Sequence, residues 1–383
     1  MRIAFIVGRF PVISETFILN QIAGLIDRGN DLDIYAFQGK PIEHTDKTHP
    51  IVEKYNLLDR TYYPPKNAES YLDRVVETHA VMFEDKAPYD IIHCQFGPFG
   101  VMAMELRQAG VIEGKIVTGL RGFDISRHLK KHGEDIYNEL FQEGDLFLAN
   151  CQFFRQRAIE LGCPPEKIEV HGSGIDCDKF TFKPRYLTED GILRVATVGR
   201  FVEKKGIEYA IRAIAQVVQK HPQLEYHLIG DGELREKFAK LIKELEIEPY
   251  VILHGWKEQR EIVEILNNCQ LFIAPSVTAA DGNQDAPVNT LKEAMAMGLP
   301  VIGTLHGGIP ELVEDGISGF LVPETDATAI AEKLNKLIED PEKWPQMGRS
   351  GRDRVKAKYD MNMLNRELYE LYQKLTRSQQ LIA

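Results

Sequence analysis

Leu193-Arg194-Val195-Ala196-Thr197-Val198 is a short apolar run, and Gly199-Arg200-Phe201-Val202-Glu203-Lys204-Lys205-Gly206 follows it directly. The run is too short for a self-burying helix, and its β-branched residues suit a buried strand. From Gly206 to Gln219 the apolar residues recur at helical spacing instead. Strand, charged turn, helix is the building unit of a parallel sheet, because parallel strands need a crossover to return. The unit repeats downstream. Segments 226–229, 251–253, Leu271–Ala274 and 300–303 read as strands, and 234–245, 258–267, 288–297 and 326–339 as helices, with Asp326 placed to cap the last.

The same alternation runs upstream. Arg2–Val7, 32–37, 90–94, 115–118, 145–149 and 167–171 read as strands, with helical segments such as 14–28 and 153–161 between them. Segment 176–191 carries Lys183, Pro184 and Arg185 and few apolar residues in sequence, which marks a linker. The expectation is an α/β chain of two doubly wound domains, 1–183 and 184–360. A charged helical stretch follows over 351–378, of which 361–383 forms a terminal helix packing back on the first domain.

At 383 residues the chain exceeds one typical domain. Its 44% hydrophobic and 27% charged residues are those of a globular protein. The formal net charge is -11 and both halves carry more acid than base, which argues against a nucleic-acid partner. Five scattered cysteines suit neither a disulfide framework nor a cysteine zinc site, so a reducing, cytoplasmic setting is expected. The apolar run ended by Gly8 and Arg9 is too short for a signal peptide, and no run of 18 apolar residues exists. Contact with a membrane surface is expected only where an acceptor is itself lipid-linked.

In open parallel sheets, ligands bind beyond the carboxyl ends of the strands. Arg200 and Lys205 share such a loop and suit a diphosphate, Arg by its fork and Lys as a point charge. Asp285-Ala286-Pro287-Val288-Asn289-Thr290-Leu291-Lys292-Glu293 opens a helix whose first amides suit phosphate, with Asp285 and Glu293 about two turns apart. Each carboxylate can accept two hydrogen bonds from vicinal hydroxyls. Gly8 ends the first strand, Ser14 can cap the next helix and Glu15 follows it. Gly307-Gly308 forms another close-approach loop. Taken singly, each feature is also what an ordinary turn or surface helix contains.

Taken together they carry a resemblance. Gly199-Arg200 with Lys205-Gly206, Ile229-Gly230-Asp231-Gly232, His254-Gly255-Trp256, Pro275-Ser276, Asp285 with Glu293-Ala294-Met295-Ala296, Gly298-Leu299-Pro300-Val301, Gly308-Ile309-Pro310-Glu311 and Asp315-Gly316 with Gly319 follow in order. Over residues 193–360 this resembles the donor domain of family 4 of the retaining glycosyltransferases. Phe10-Pro11 with Ser14-Glu15-Thr16-Phe17 is similar to the exopolysaccharide and colanic-acid branch.

The resemblance implies a GT-B fold, two Rossmann-like domains facing across a cleft. It implies a hexosyltransferase that retains anomeric configuration and uses a nucleotide-diphosphate sugar, UDP- before GDP-linked, with no metal or other cofactor. The acceptor would be a saccharide, free or lipid-linked. Arg200, Lys205 and Asp285 are the catalytic candidates. Gly8, His254, Val288, Asn289, Thr290, Leu291 and Glu293 join them at the donor, with Glu293 on the ribose and His254 near the base. Ser14, Glu15, Arg121 and Asp124 are acceptor-side or cleft candidates. Two positions depart from the family: Asp285 stands for a glutamate and Arg121 for a histidine. An arginine cannot relay protons in water, but it can stabilise a leaving phosphate.

The triplets Asp31-Leu32-Asp33 and Asp176-Cys177-Asp178 lie at a strand start and in the linker, the wrong places for a metal–nucleotide site. His93 reads as an interior histidine. Arg127-His128-Leu129-Lys130-Lys131-His132 reads as a solvated basic face, with an anionic lipid surface as its alternative. Three rivals remain: a nicotinamide oxidoreductase, which lacks G-x-G-x-x-G after both opening strands, a non-catalytic nucleotide-sugar-binding subunit on the same fold, and an epimerase on a GT-B frame.

Overall fold

The computed structural model describes residues 1–12, 15–38, 49–65, 75–86, 88–286 and 288–380. The chain divides into two compact units: Met1–Gly174 with Met361–Ala383, and Ile175–Asp360.

Among the described residues of the first unit, seven parallel strands form one sheet: β1 Arg2–Val7, β2 Asp31–Ala36, β3 Thr61–Tyr62, β4 Ile91–Cys94, β5 Lys115–Leu120, β6 Leu146–Ala149 and β7 Ile168–Val170. Their order is β3-β2-β1-β4-β5-β6-β7. The second unit holds six: β8 Leu193–Val198, β9 Leu224–Ile229, β10 Val251–Gly255, β11 Leu271–Ala274, β12 Val301–Thr304 and β13 Gly319–Val322, ordered β10-β9-β8-β11-β12-β13. In both sheets the winding reverses beside the first strand, between β1 and β4 and between β8 and β11. The flanking loops diverge there and leave a crevice.

The central strands are apolar on both faces because helices cover both. Helix Ile207–Val217 shows how: Ile207, Ala210, Ile211, Ile214 and Val217 form one buried stripe that packs with Val195, Tyr226 and Leu228. In the first unit Ile3, Phe5 and Val7 share a core with Ile34, Ile91 and Leu148.

The structure departs from the sequence reading in three places. Segment 175–183 packs with the second unit, not the first: Ile175, Cys177 and Phe180 lie in its core, and Arg352 donates to the carbonyls of Cys177 (2.9 Å) and Phe180 (2.8 Å). The charged terminal stretch is two helices, Trp344–Tyr359 and Met361–Gln380. They part at Asp360, which is extended and bridges to Ile175. Strands β3 and β13 were not expected.

Helix Met361–Gln380 packs on the first unit. Leu368 and Tyr372 are fully buried in its core, and the Asn365 side chain donates to the Asn20 carbonyl at 3.0 Å. Gly24 makes this approach possible, since a Cβ there would lie 2.1 Å from Asn365.

Candidate active site

A buried charge cluster of the second unit lies on the loops after β8 and β11, at the reversal point. Asp285 is buried, and both of its carboxylate oxygens are engaged. Lys205 Nζ lies 2.7 Å from Oδ2 and Lys204 Nζ 3.0 Å from Oδ1. The Ser276 hydroxyl donates to Oδ2 at 3.0 Å. Burial alone would raise the Asp285 carboxyl, but the two ammonium groups, Lys205 foremost, overrule it and hold it below the usual carboxylate range. Burial holds Lys205 below an ordinary lysine; Asp285 opposes that shift and Lys204 adds to it. Arg200 is exposed at the start of the same loop, and none of the ion pairs among the described residues engages it.

The backbone of Asp285 is fixed independently. Its N–H donates to His306 Nε2 at 2.9 Å, and His306 Nδ1 bonds Glu324 at 2.7 Å, which sets the tautomer as Nδ1–H. Gly307 sits at φ +48, and a Cβ there would lie 2.1 Å from the Asp285 carbonyl. Gly206 closes the cationic turn at φ +60, where a Cβ would meet the Pro275 carbonyl at 1.8 Å. Glycine at both positions lets the loops touch. Beside the cluster is a small cleft lined by Gly199, Lys205, Pro275, Ser276, Val288 and Thr290.

Helix Asn289–Ala296 begins at this cleft with Val288 as its unsatisfied cap. The Thr290 hydroxyl anchors it to the Val198 carbonyl at 3.0 Å. The Leu291 N–H turns back to the Val288 carbonyl at 3.1 Å, whereas those of Asn289 and Thr290 have no acceptor within the helix. Leu291 is core. Glu293 lies in the second turn and is buried. Burial pushes its carboxyl up to about 7 against the opposing pull of Lys179 and Lys292 and a hydrogen bond with Gln259. Lys179 donates to Gln259, so Lys179, Gln259 and Glu293 form one polar group. His254, next to last in β10, is half-buried, stacked on His227 with ring centroids 5.1 Å apart and bonded to it at 2.9 Å. Burial and then His227 lower its pKa.

The first-unit candidates are differently placed. Gly8 follows β1, where a Cβ would lie 2.9 Å from the Phe99 ring. Glu15 precedes helix Thr16–Ile26 without a side-chain cap bond to it. Ser14 and Pro287 lie outside the described residues. Asp124 is fully buried and accepts the N–H groups of Gly97 (3.1 Å), Arg121 (3.0 Å) and Gly122 (2.9 Å). It braces two loops of the first unit. Arg121 is buried over the Phe17 ring and donates to Ser173 (3.3 Å) and Gln21 (3.4 Å), with burial pushing it down to about 10. His93 is buried and bonded to Tyr372.

The sequence reading overlooked Lys204, His306 and Glu324. Lys204 is concealed by its neighbour Lys205, and His306 stands beside the Gly307-Gly308 loop with no local signal of its role. The metal triplets resolve simply. Asp33 pairs with Arg2 at 3.3 Å, and Asp176 accepts the N–H groups of Asp178 and Lys179. Among the described residues no group of three or more His, Cys, Asp or Glu side chains is placed to hold a metal ion. The five cysteines are buried and free. No helix is long and apolar enough to cross a membrane.

Residues 178–354 match the family described as glycosyl transferases group 1, and residues 14–179 match glycosyltransferase family 4. The Escherichia coli (strain K12) glycosyltransferase WcaL, named for colanic acid biosynthesis, is 35% identical over 98% of this chain and 100% of its own length. The Erwinia amylovora amylovoran biosynthesis glycosyltransferase AmsK is 34% identical over 98% of this chain and 100% of its own. Among solved structures, Anabaena HepE in complex with UDP superposes with a TM-score of 0.77 at 20% identity, covering 98% of this chain and 100% of that one. Sucrose-phosphate synthase of Thermosynechococcus elongatus gives 0.78 at 19% identity, covering 99% and 100%. These neighbours carry the GT-B fold, and by its full-length likeness to WcaL and AmsK the chain belongs to the exopolysaccharide-biosynthesis glycosyltransferases.

Proposed function

We propose that the chain transfers a hexosyl unit, with retention, from a nucleotide-diphosphate sugar to a saccharide or lipid-linked saccharide. The supporting observation is the gathering of Arg200, Lys204 and Lys205 with a helix N-terminus at the reversal point of the second sheet, and buried Glu293 one turn further on. UDP is the favoured nucleotide, since HepE was solved with UDP and with UDP-glucose.

In this reading Arg200, Lys205 and the amides at Asn289 and Thr290 hold the diphosphate. Asp285 meets the sugar, Glu293 the ribose hydroxyls, and the His254–Gly255 turn lies near the base. Gly8 is the first unit's donor-side candidate, and Glu15 and Arg121 its acceptor-side candidates. The bond from the anomeric carbon to the phosphate oxygen breaks, and the acceptor oxygen joins that carbon on the same face. The acceptor proton passes to the departing phosphate oxygen, whose charge the cationic loop stabilises. No metal is required for these steps. With a lipid-linked acceptor, the exposed side chains of Arg127–His132 and exposed Phe123 beside them suit an anionic surface at the cytoplasmic face.

The test is a thermal-shift panel on the protein and on Glu293→Ala, with UDP, GDP, ADP and NAD, each with and without EDTA. Ligand at a hundred times its Kd adds about 2.7 kcal/mol, a shift of a few degrees. A shift with UDP, insensitive to EDTA and lost in Glu293→Ala, is the expected result. A shift with NAD alone, or with no nucleotide, sinks the proposal.

A further inference from the structure

We propose that Lys204 joins Lys205 in holding the donor diphosphate, and that Asp285 is the resident anion which both lysines release when the donor arrives. This inference rests on the donor-site reading above.

The geometry carries the argument. One carboxylate oxygen faces each ammonium, at 2.7 and 3.0 Å, and all three side chains are less than one-fifth exposed. Lys204 approaches the Asn283 side chain at 3.4 Å and the Gln284 carbonyl at 3.5 Å, so its head is held at the loop and not in solvent. A carboxylate bridging two ammonium groups uses the donors that a diphosphate would use. A diphosphate brings at least two negative charges into the same enclosed space. It cannot share the lysines with an ionised Asp285 without strong repulsion. One anion must leave.

Asp285 is built to be that anion. Its main chain is pinned by the N–H bond to His306 and backed by Gly307, so the loop need not move. The carboxylate alone turns about its side-chain torsions. Where a hexosyl group is present, its hydroxyls offer the displaced carboxylate new partners. Where only the nucleoside diphosphate remains, they do not, and Asp285 competes to recover its lysines. The clamp therefore favours intact donor over spent product. It supplies a local reason for the product to leave.

Isothermal titration with inorganic pyrophosphate and with UDP tests this on the full chain, with melting curves to verify folding. Asp285→Asn removes the competing charge, so both probes are expected to bind about tenfold tighter or more, the scale of one charge-assisted contact. Lys204→Met is expected to weaken both by about tenfold, as Lys205→Met does. It retains the Lys205–Asp285 pair and so is read independently of how Asp285→Asn folds. Unchanged or weaker binding by folded Asp285→Asn, or unchanged binding by Lys204→Met, overturns the inference and leaves the donor reading standing. Failure of both probes to bind any form defeats the donor reading and this inference with it.

Discussion

Beyond β5 in the first unit, buried Arg121 donates to Ser173 and Gln21 with the Asp124 and Glu15 charges near it, while Ser173 in turn donates to Asn150 and Gln95 donates to Gln21. Beyond β8 in the second unit, Lys204 and Lys205 close on a carboxylate. The two sheets are wound alike, with β8 at the reversal and β5 one strand past it, and the polar groups do different work. In the first unit they tie strand ends to the unit's own helices, Thr16–Ile26 and Met361–Gln380. In the second they are charges on loops, held in pairs that a ligand can exchange. Topology fixes where a crevice forms; which side chains have found partners in their own fold decides what it can bind.

That contrast can be broken by substitution. The largest effect is expected from Lys205→Met, with transfer falling about a thousandfold, the scale of losing a preorganised charge at the leaving group, while the melting temperature drops only by a few degrees because Lys204 still pairs Asp285. A large loss of stability there would make the second-unit cluster architectural as well.

The pH dependence of Glu293 is next. Its folded value of about 7 lies above the 4.5 of an ordinary glutamate, so between the two the folded state holds a proton that the unfolded chain has released. Stability should therefore be greatest below that lower value and fall by about 3 kcal/mol as pH rises to 7, levelling above it. Glu293→Gln should flatten the profile of melting temperature between pH 5 and 8, and parallel profiles would refute the assignment.

Asp124→Ala tests the opposite side of the comparison. Three buried backbone N–H groups lose their acceptor, and the cost is about 2–3 kcal/mol in urea unfolding. Nucleotide binding by the folded fraction should be unchanged; its loss would return Asp124 to the site. Tyr372→Phe, which removes the hydroxyl bonded to His93, should cost about 1 kcal/mol and leave nucleotide affinity alone.

Much of this was legible in the sequence where residues act locally. Arg2–Val7, Leu193–Val198 and Leu271–Ala274 are apolar runs with clear ends, and they are strands as read. Thr61–Tyr62 is too brief to leave a pattern, and Asp360 ends a helix through a long-range bridge to Ile175 that no local signal marks. Segment 176–191 reads as a linker because its apolar residues are sparse, yet Cys177 and Phe180, with Ile175 just before it, are spaced to reach one core. At the site, Lys205 and Asp285 were chosen by their motifs. Their pairing joins residues 80 apart and follows only from the approach of two loops. The bracing role of Asp124 is hidden for a similar reason, since its backbone partners become visible only when the loop at Gly97 is in place.

Tyr372 and His93 meet across 279 residues of sequence, and everything belonging to the second unit lies between them. During synthesis, therefore, the half that begins the chain is the last to be completed. The ribosome releases the first sheet with one flank uncovered, and its cover is translated only after the intervening domain has emerged. That domain is continuous, with Ile175 and Asp360 side by side at its two ends, so it can fold while the other waits. Nascent-chain proteolysis should find the early half the more vulnerable of the two until residues 361–380 arrive.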